Sequence, residues 1–213
     1  MLDDILDKIY ESILDGDAPG ASEGVQEALD LGGDPSVILN QGMIEAMGEV
    51  GALYEAQEIF VPEMLIAARA MKAGLAILRP KLVEGGVEPI GKVILGTVQG
   101  DLHDIGKNLV GMMMEGKGFE VIDLGIDVPH AKFVEAVREH QPEILGMSAL
   151  LTTTMTAMKT VIQALQEAGL RKQVKVMVGG APITDAFAES VGADRFSPDA
   201  ASAANDALAL LSM

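Results

Sequence analysis

Gly100-Asp101-Leu102-His103-Asp104-Ile105-Gly106-Lys107-Asn108 is a polar cluster set between two apolar runs. The apolar run before it, Val93-Ile94-Leu95-Gly96-Thr97-Val98, reads as a buried strand. The run after it, Leu109-Val110-Gly111-Met112-Met113-Met114, reads as the buried side of a helix. The polar cluster therefore falls on a strand-to-helix turn, and in open α/β sheets ligands bind where such turns leave the carboxyl ends of strands. A His two residues after an Asp on that turn has the pattern of a metal ligand with its own hydrogen-bond acceptor. The same residues also describe a polar loop whose His caps a helix, and taken locally they leave both readings open.

Working outward, short apolar runs alternate with helical stretches from Lys92 onward. Strands are expected at 92–98, 119–124, 143–148, 174–178 and 194–197, with helices at 105–117, 129–140, 153–168, 183–190 and 199–211. Five βα units predict a parallel sheet covered on both faces, with the flavodoxin-like (Rossmann-type) strand order 2-1-3-4-5. In that order the loops after strands one and three face each other. The first carries Asp101-x-His103-x-x-Gly106. The second carries Ser148-x-Leu150 and then Thr152-Thr153-Thr154. Strand four ends in Gly179-Gly180, where missing side chains let a ligand touch the backbone.

The N-terminal part has a different rhythm. Leu2, Ile5, Ile9 and Ile13 are spaced for one helix, and Val25 and Leu29 for a second over 22–31. Asp34-Pro35 starts a third, which keeps Met43, Met47, Val50 and Tyr54 on one face. Val61-Pro62 opens a fourth, expected to end at Pro80. Four amphipathic helices with short connections make an antiparallel bundle. Residues 84–89 have linker composition. The expected organisation is thus an all-α four-helix-bundle domain, 1–88, followed by an α/β domain, 89–213.

Composition narrows the function. The net charge is −17, which repels phosphate backbones and anionic lipid, so neither nucleic acid nor a membrane is an expected partner. Residues 1–89 hold 17 acidic and 5 basic side chains, more than half of that imbalance. This fits two domains and either ordinary solubilising charge or an acidic face for a basic partner. There is no cysteine, so no disulfide, zinc–thiolate or iron–sulfur site can be built. No apolar run reaches the roughly 18 residues of a membrane span. The acidic N-terminus lacks the basic region of a signal peptide, and a soluble cytoplasmic protein is expected.

The three loop motifs together resemble the cobalamin-binding signature of methionine synthase, the B12-dependent mutases and the corrinoid proteins of methanogens and acetogens. Asp-x-His-x-x-Gly, Ser-x-Leu and Gly-Gly occur in order, with 41 residues between Gly106 and Ser148 and 28 between Leu150 and Gly179. In front of them, Val50-Gly51-Ala52-Leu53-Tyr54-Glu55, Phe60-Val61-Pro62 and Ala67-Ala68-Arg69-Ala70-Met71 resemble the helical cap of the methyltransferase members. The whole chain is most similar to the small stand-alone corrinoid proteins of methylamine, betaine and methanol methyltransferase systems.

That resemblance implies a cofactor, cobalamin as methylcobalamin or a related corrinoid, with His103 as the lower axial ligand of cobalt. Asp101 would accept the other imidazole N–H, and Thr154, where the family often has Ser, would supply a hydroxyl to the relay. Gly100, Leu102, Asp104, Ile105 and Gly106 would complete the loop beneath the corrin. Ser148, Leu150, Thr152, Gly179 and Gly180 would line the slot for the nucleotide tail, with a large residue at 180 expected to abolish binding while sparing the fold. Tyr54 and Val61 would shield the methyl group, and the bundle would move aside by hinging within 84–91.

The implied function is a methyl carrier between a substrate:corrinoid methyltransferase and a second, methylcorrinoid:acceptor methyltransferase serving a thiol or tetrahydrofolate, kept active by a reductive activator. Such a chain is a shuttle within an enzyme system. A B12-binding sensor is the alternative, although sensors usually add a DNA-binding element. A phospho-receiver domain would need Asp where this chain has Ser148. Lys107-Asn108 does not complete a phosphate-loop pattern.

Overall fold

The computed structural model describes residues 2–86 and 88–212. The chain divides into two compact units, Met1–Pro89 with Glu115–Gly118, and Ile90–Met114 with Phe119–Met213. Val87, in the expected linker, lies outside the described residues.

The helical unit contains α1 (Leu2–Leu14), α2 (Ala18–Asp30), α3 (Pro35–Val37), a π-helical segment (Ile38–Ile44), α4 (Glu45–Glu55) and α5 (Val61–Glu84). The π segment joins α3 to α4, so residues 35–55 act as one helix of the expected four. Its core is Ile9, Ile13, Val25, Met43, Met47, Met64, Met71 and Leu78, all buried. Methionine suits such a core because its unbranched chain fills irregular gaps.

Two boundaries differ from expectation. α2 begins at Ala18 rather than 22, because Asp17 caps it by accepting the Gly20 N–H at 3.1 Å and Pro19 fits the first turn. α5 runs through Pro80 to Glu84. Proline there removes one hydrogen bond, to Ala76, but both residues are exposed and water can serve the freed carbonyl.

In the second unit β1 (Lys92–Thr97), β2 (Glu120–Asp123), β3 (Ile144–Ser148), β4 (Lys175–Gly179) and β5 (Arg195–Phe196) form one parallel sheet in the order β2-β1-β3-β4-β5. Helices α6 (Ile105–Gly116), α7 (His130–His140), α8 (Ala157–Glu167), α9 (Asp185–Val191) and α10 (Ala200–Leu211) connect and follow the strands. Ile94, Leu145, Val176 and Val178 pack with Phe133, Met158, Val161 and Leu165 in the core. Register fixes what matters for function. Thr97 pairs with Ser148, and Ser148 with Gly179. The ends of three adjacent strands thus stand in one row, and the three loops leave the sheet side by side.

α8 begins at Ala157, four residues later than expected. Residues 151–156 instead form tight turns, with the Thr154 and Met155 N–H groups donating to the Leu151 carbonyl at 3.1 and 3.0 Å. Among the described residues no helix is long and apolar enough to cross a membrane.

Candidate functional site

Asp101 is the centre of the loop cluster. Its residue is 0% exposed and its two carboxylate oxygens serve different loops. Oδ1 accepts the His103 N–H at 3.1 Å and lies 2.7 Å from His103 Nδ1. Oδ2 accepts the N–H groups of Leu150 at 2.8 Å and Leu151 at 3.3 Å and the Thr154 hydroxyl at 2.6 Å. Thr154 Oγ1 is also 3.0 Å from the Leu151 carbonyl, but its single proton goes to the nearer, charged acceptor. Burial by itself pushes the Asp101 carboxyl up. The hydrogen bonds from Thr154, from the His103 ring and from the Leu150 and His103 N–H groups outweigh it and hold the group well below the usual carboxylate range.

In the neutral imidazole an ionised acceptor at Oδ1 assigns the proton to His103 Nδ1, and Nε2 then carries a free lone pair. The His103 side chain is 50% exposed, and Nε2 has no partner among the described residues. Around it the loops present bare apolar surface. Leu102 is 67% and Ile105 72% exposed, and Leu150, Leu151 and Ile126 are also exposed. Such a run of exposed apolar residues marks a surface that another group covers. Gly106 is exposed, and a Cβ there would meet nothing within 4 Å. The fold itself therefore does not demand glycine at 106.

At the slot the Ser148 hydroxyl has no hydrogen-bond partner among the described residues, and Thr152 is exposed. A Cβ on Gly179 would sit 3.4 Å from the Ser197 carbonyl oxygen, in ordinary contact. Gly180 is different. Its φ is +127° and a Cβ would lie 1.9 Å from the Ala149 carbonyl oxygen, so any side chain collides with backbone. The expectation that a large residue at 180 would spare the fold is corrected: glycine at 180 is required by the chain itself.

Gly100, Asp101, Leu102, His103, Asp104, Ile105, Gly106, Ser148, Leu150, Thr152, Thr154, Gly179 and Gly180 all lie at the carboxyl edge of β1, β3 and β4. Tyr54 and Val61 belong to the helical unit, at the end of α4 and the start of α5, and both are half-buried.

Two participants escaped the sequence reading. Thr97 is fully buried and donates its hydroxyl to the His103 carbonyl at 2.8 Å, bracing the loop that carries Asp101 and His103. A lone hydroxyl closing an apolar strand was the available signal. Lys107, dismissed with the phosphate loop, is buried and bonds Asn108 Oδ1 at 2.7 Å and Asp123 Oδ2 at 2.5 Å. Asn108 Nδ2 in turn donates to Asp104 at 3.0 Å, tying the helix start to the loop.

Two B12 binding domain models match, over residues 91–208 and 5–79. The chain is 40% identical to trimethylamine corrinoid protein 1 of Methanosarcina acetivorans over 211 residues, 98% of each chain. It is 45% identical to dimethylamine corrinoid protein 1 of the same organism over 179 residues, 84% of each. The crystal structure of the methanol:cobalamin methyltransferase complex MtaBC from Methanosarcina barkeri contains a chain that superposes with a TM-score of 0.90 at 31% identity, covering 99% of this chain and 80% of that one. A signature on three loops of a parallel sheet, a helical unit before it and full-length identity to corrinoid proteins coincide in one chain, which belongs to the B12-binding corrinoid protein family.

Proposed function

We propose that this protein carries a methyl group on a corrinoid between a methyltransferase specific for a methylated amine and a second one serving a thiol or tetrahydrofolate. The single observation that carries the site assignment is the Asp101–His103 pair: a half-exposed imidazole with a free Nε2, aimed by a buried carboxylate and rimmed by apolar residues. Among the described residues no three His, Asp or Glu side chains cluster as a metal cage. A metal at His103 would therefore bring its other ligands with it, as the cobalt of a corrin does. When bound, the corrinoid supplies a cobalt centre that takes up and releases the methyl group.

The chain's own residues supply the rest. His103 Nε2 is the proposed lower ligand of cobalt. The proton stays on His103 Nδ1, donated to Asp101 Oδ1, and the Thr154 hydroxyl steadies the opposite oxygen, so the pair can follow a change in the metal's demand for a ligand by a small movement of that one proton. Leu102, Ile105, Leu150 and Leu151, exposed in this structure, would shield a bound corrinoid from water. Ser148 and Gly179 offer a hydroxyl and a bare backbone to the nucleotide tail. Tyr54 and Val61 are the proposed shield of the methyl group. Residues 1–88 make up the cap and 89–213 the corrinoid-binding domain.

The identity to trimethylamine and dimethylamine corrinoid proteins supports a methylated amine as donor. The MtaBC match supports a methyltransferase as direct partner. A reductive activator and a cytoplasmic location complete the proposal, and the full-length match to corrinoid proteins favours a carrier over a sensor. The test is protein labelled with ¹⁵N-histidine and loaded with cob(II)alamin. Axial splitting into two lines, from a spin-½ nitrogen, identifies a protein histidine on cobalt. Three unchanged lines, or the two-line pattern persisting in His103→Ala, reject the assignment. Methyl loading from trimethylamine, dimethylamine or methanol with each matching methyltransferase then separates the donors.

A further inference from the structure

The loop that carries Asp101 and His103 is held at one more point, from the turn between β2 and α7. Asp127 Oδ1 accepts the Gly100 N–H at 2.7 Å. The Asp127 N–H donates to the Asp101 carbonyl at 3.0 Å. The two bonds run in opposite senses and bracket Gly100–Asp101. Asp127 itself is held at φ +51°, a left-handed conformation that Asp and Asn tolerate better than other side chains.

The backbone of this turn has its own supports. The Thr97 N–H donates to the Gly125 carbonyl and the Val128 N–H to the Thr97 carbonyl, both at 3.0 Å, and Val98 bridges Val128. Those bonds set the path of 125–128 without help from the carboxylate. The Asp127 side chain is exposed, and its one bond among those described goes to Gly100.

We propose that Asp127 is a positioning residue for the cobalt ligand: by clasping Gly100–Asp101 it fixes where the Asp101 carboxylate stands, and through that carboxylate the direction of the His103 ring. This rests on the reading of His103 as the ligand. The chain of contacts is short. Asp127 holds the peptide groups around Asp101, and Asp101 Oδ1 holds both the backbone N–H and the ring Nδ1 of His103. A ligand aimed in this way is already in place before the cofactor arrives.

Two substitutions separate the acceptor from the backbone. Asp127→Gly keeps the left-handed turn and the N–H donation but removes the oxygen. Asp127→Asn keeps an oxygen in reach and tolerates the turn. In the cofactor-free protein, amide exchange at Gly100 and at His103 should both quicken roughly tenfold in Asp127→Gly, the loss of one bond to a charged acceptor. In the cob(II)alamin-loaded, ¹⁵N-histidine-labelled protein the ratio of His-ligated to unligated cobalt should fall in Asp127→Gly, and Asp127→Asn, which keeps the oxygen but not the charge, should lie between wild type and Asp127→Gly in both measurements. Faster exchange at Gly100 alone, with His103 and the ligated fraction unchanged, overturns the proposal. So does an Asn variant as impaired as the Gly variant, which would assign the effect to charge. Wild-type protein with no histidine on cobalt removes the underlying reading, and this inference with it; that failure shows in the unsubstituted protein, before either variant is compared.

Discussion

The two regions proposed to meet the corrinoid are built on opposite plans. On the sheet edge, Asp101 is fully buried and receives five donor groups from two loops. In the helical unit, Tyr54 and Val61 are half-buried and flank the turn 56–60, where Gln57 is left-handed at φ +62°. The Tyr54 hydroxyl has no hydrogen-bond partner among the described residues. The difference fits the two tasks proposed for them. A metal ligand must be aimed within fractions of an ångström, which takes short directional bonds. A cover must keep water out, which apolar area does without direction.

If the comparison is right, small changes at the sheet edge cost far more than changes at the helical turn. Gly180→Ala should have the largest effect, lowering the unfolding free energy of the cofactor-free protein by about 3 kcal/mol or more, since a left-handed residue must also push against the Ala149 carbonyl. Urea denaturation measures it, and a variant as stable as wild type would show that the β4 loop is not rigid.

Asp101→Asn comes next, with a loss of about 2–3 kcal/mol at neutral pH as N–H donors face an amide in place of a carboxylate. The folded carboxyl is held below its unfolded value of 3.8, so its contribution is fully present above that pH and fades as pH falls toward the folded value. The gap between wild type and Asp101→Asn should therefore be constant from pH 7 to about 5 and close in acid below 3.8. A gap that widens with acid would reverse the sign of the argument.

Thr154→Val should cost about 1.5–2 kcal/mol, one hydroxyl bond to a charged acceptor, and Thr154→Ser should recover most of it. Equal losses in both variants would assign the role to the methyl group. The smallest effect is expected across the comparison, at the helical turn. Tyr54→Phe should leave the unfolding free energy within about 0.5 kcal/mol, because no bond of its hydroxyl is lost. A larger loss there would mean the helical turn is as tightly determined as the sheet edge.

The reading from sequence succeeded and failed in physically intelligible places. β1, β3 and β4 were legible because buried parallel strands are continuous apolar runs bounded by turns, and the partly exposed edge strands β2 and β5 also fall within a residue or two of the expected spans. α5 passed through Pro80 because a helix near its exposed end can lose one bond to water. The π segment Ile38–Ile44 left no trace in the apolar rhythm, since Met43 and Met47 stay inward either way. α8 started late because the N–H groups of Leu150 and Leu151 are drawn to Asp101, a residue about 50 positions earlier in the chain.

The chain alone placed Asp101-x-His103 on a strand-to-helix turn, with the two residues two apart on one loop. It also determined the order of the five βα units, through periodicity that depends only on neighbours. Tertiary structure decided the rest. Thr154 reaches Asp101 across 53 residues and Asp127 reaches Gly100 across 27, and both contacts exist only because the strand order sets Thr97, Ser148 and Gly179 in one row. The demand for glycine at 180 arises the same way, from the Ala149 carbonyl on the neighbouring loop. Contacts of that kind depend on which strands are neighbours and how they pair, so Asp101, His103 and Thr154 could be named as candidates from the chain, while Thr97, Asp127 and the backbone donors of Leu150 and Leu151 could not.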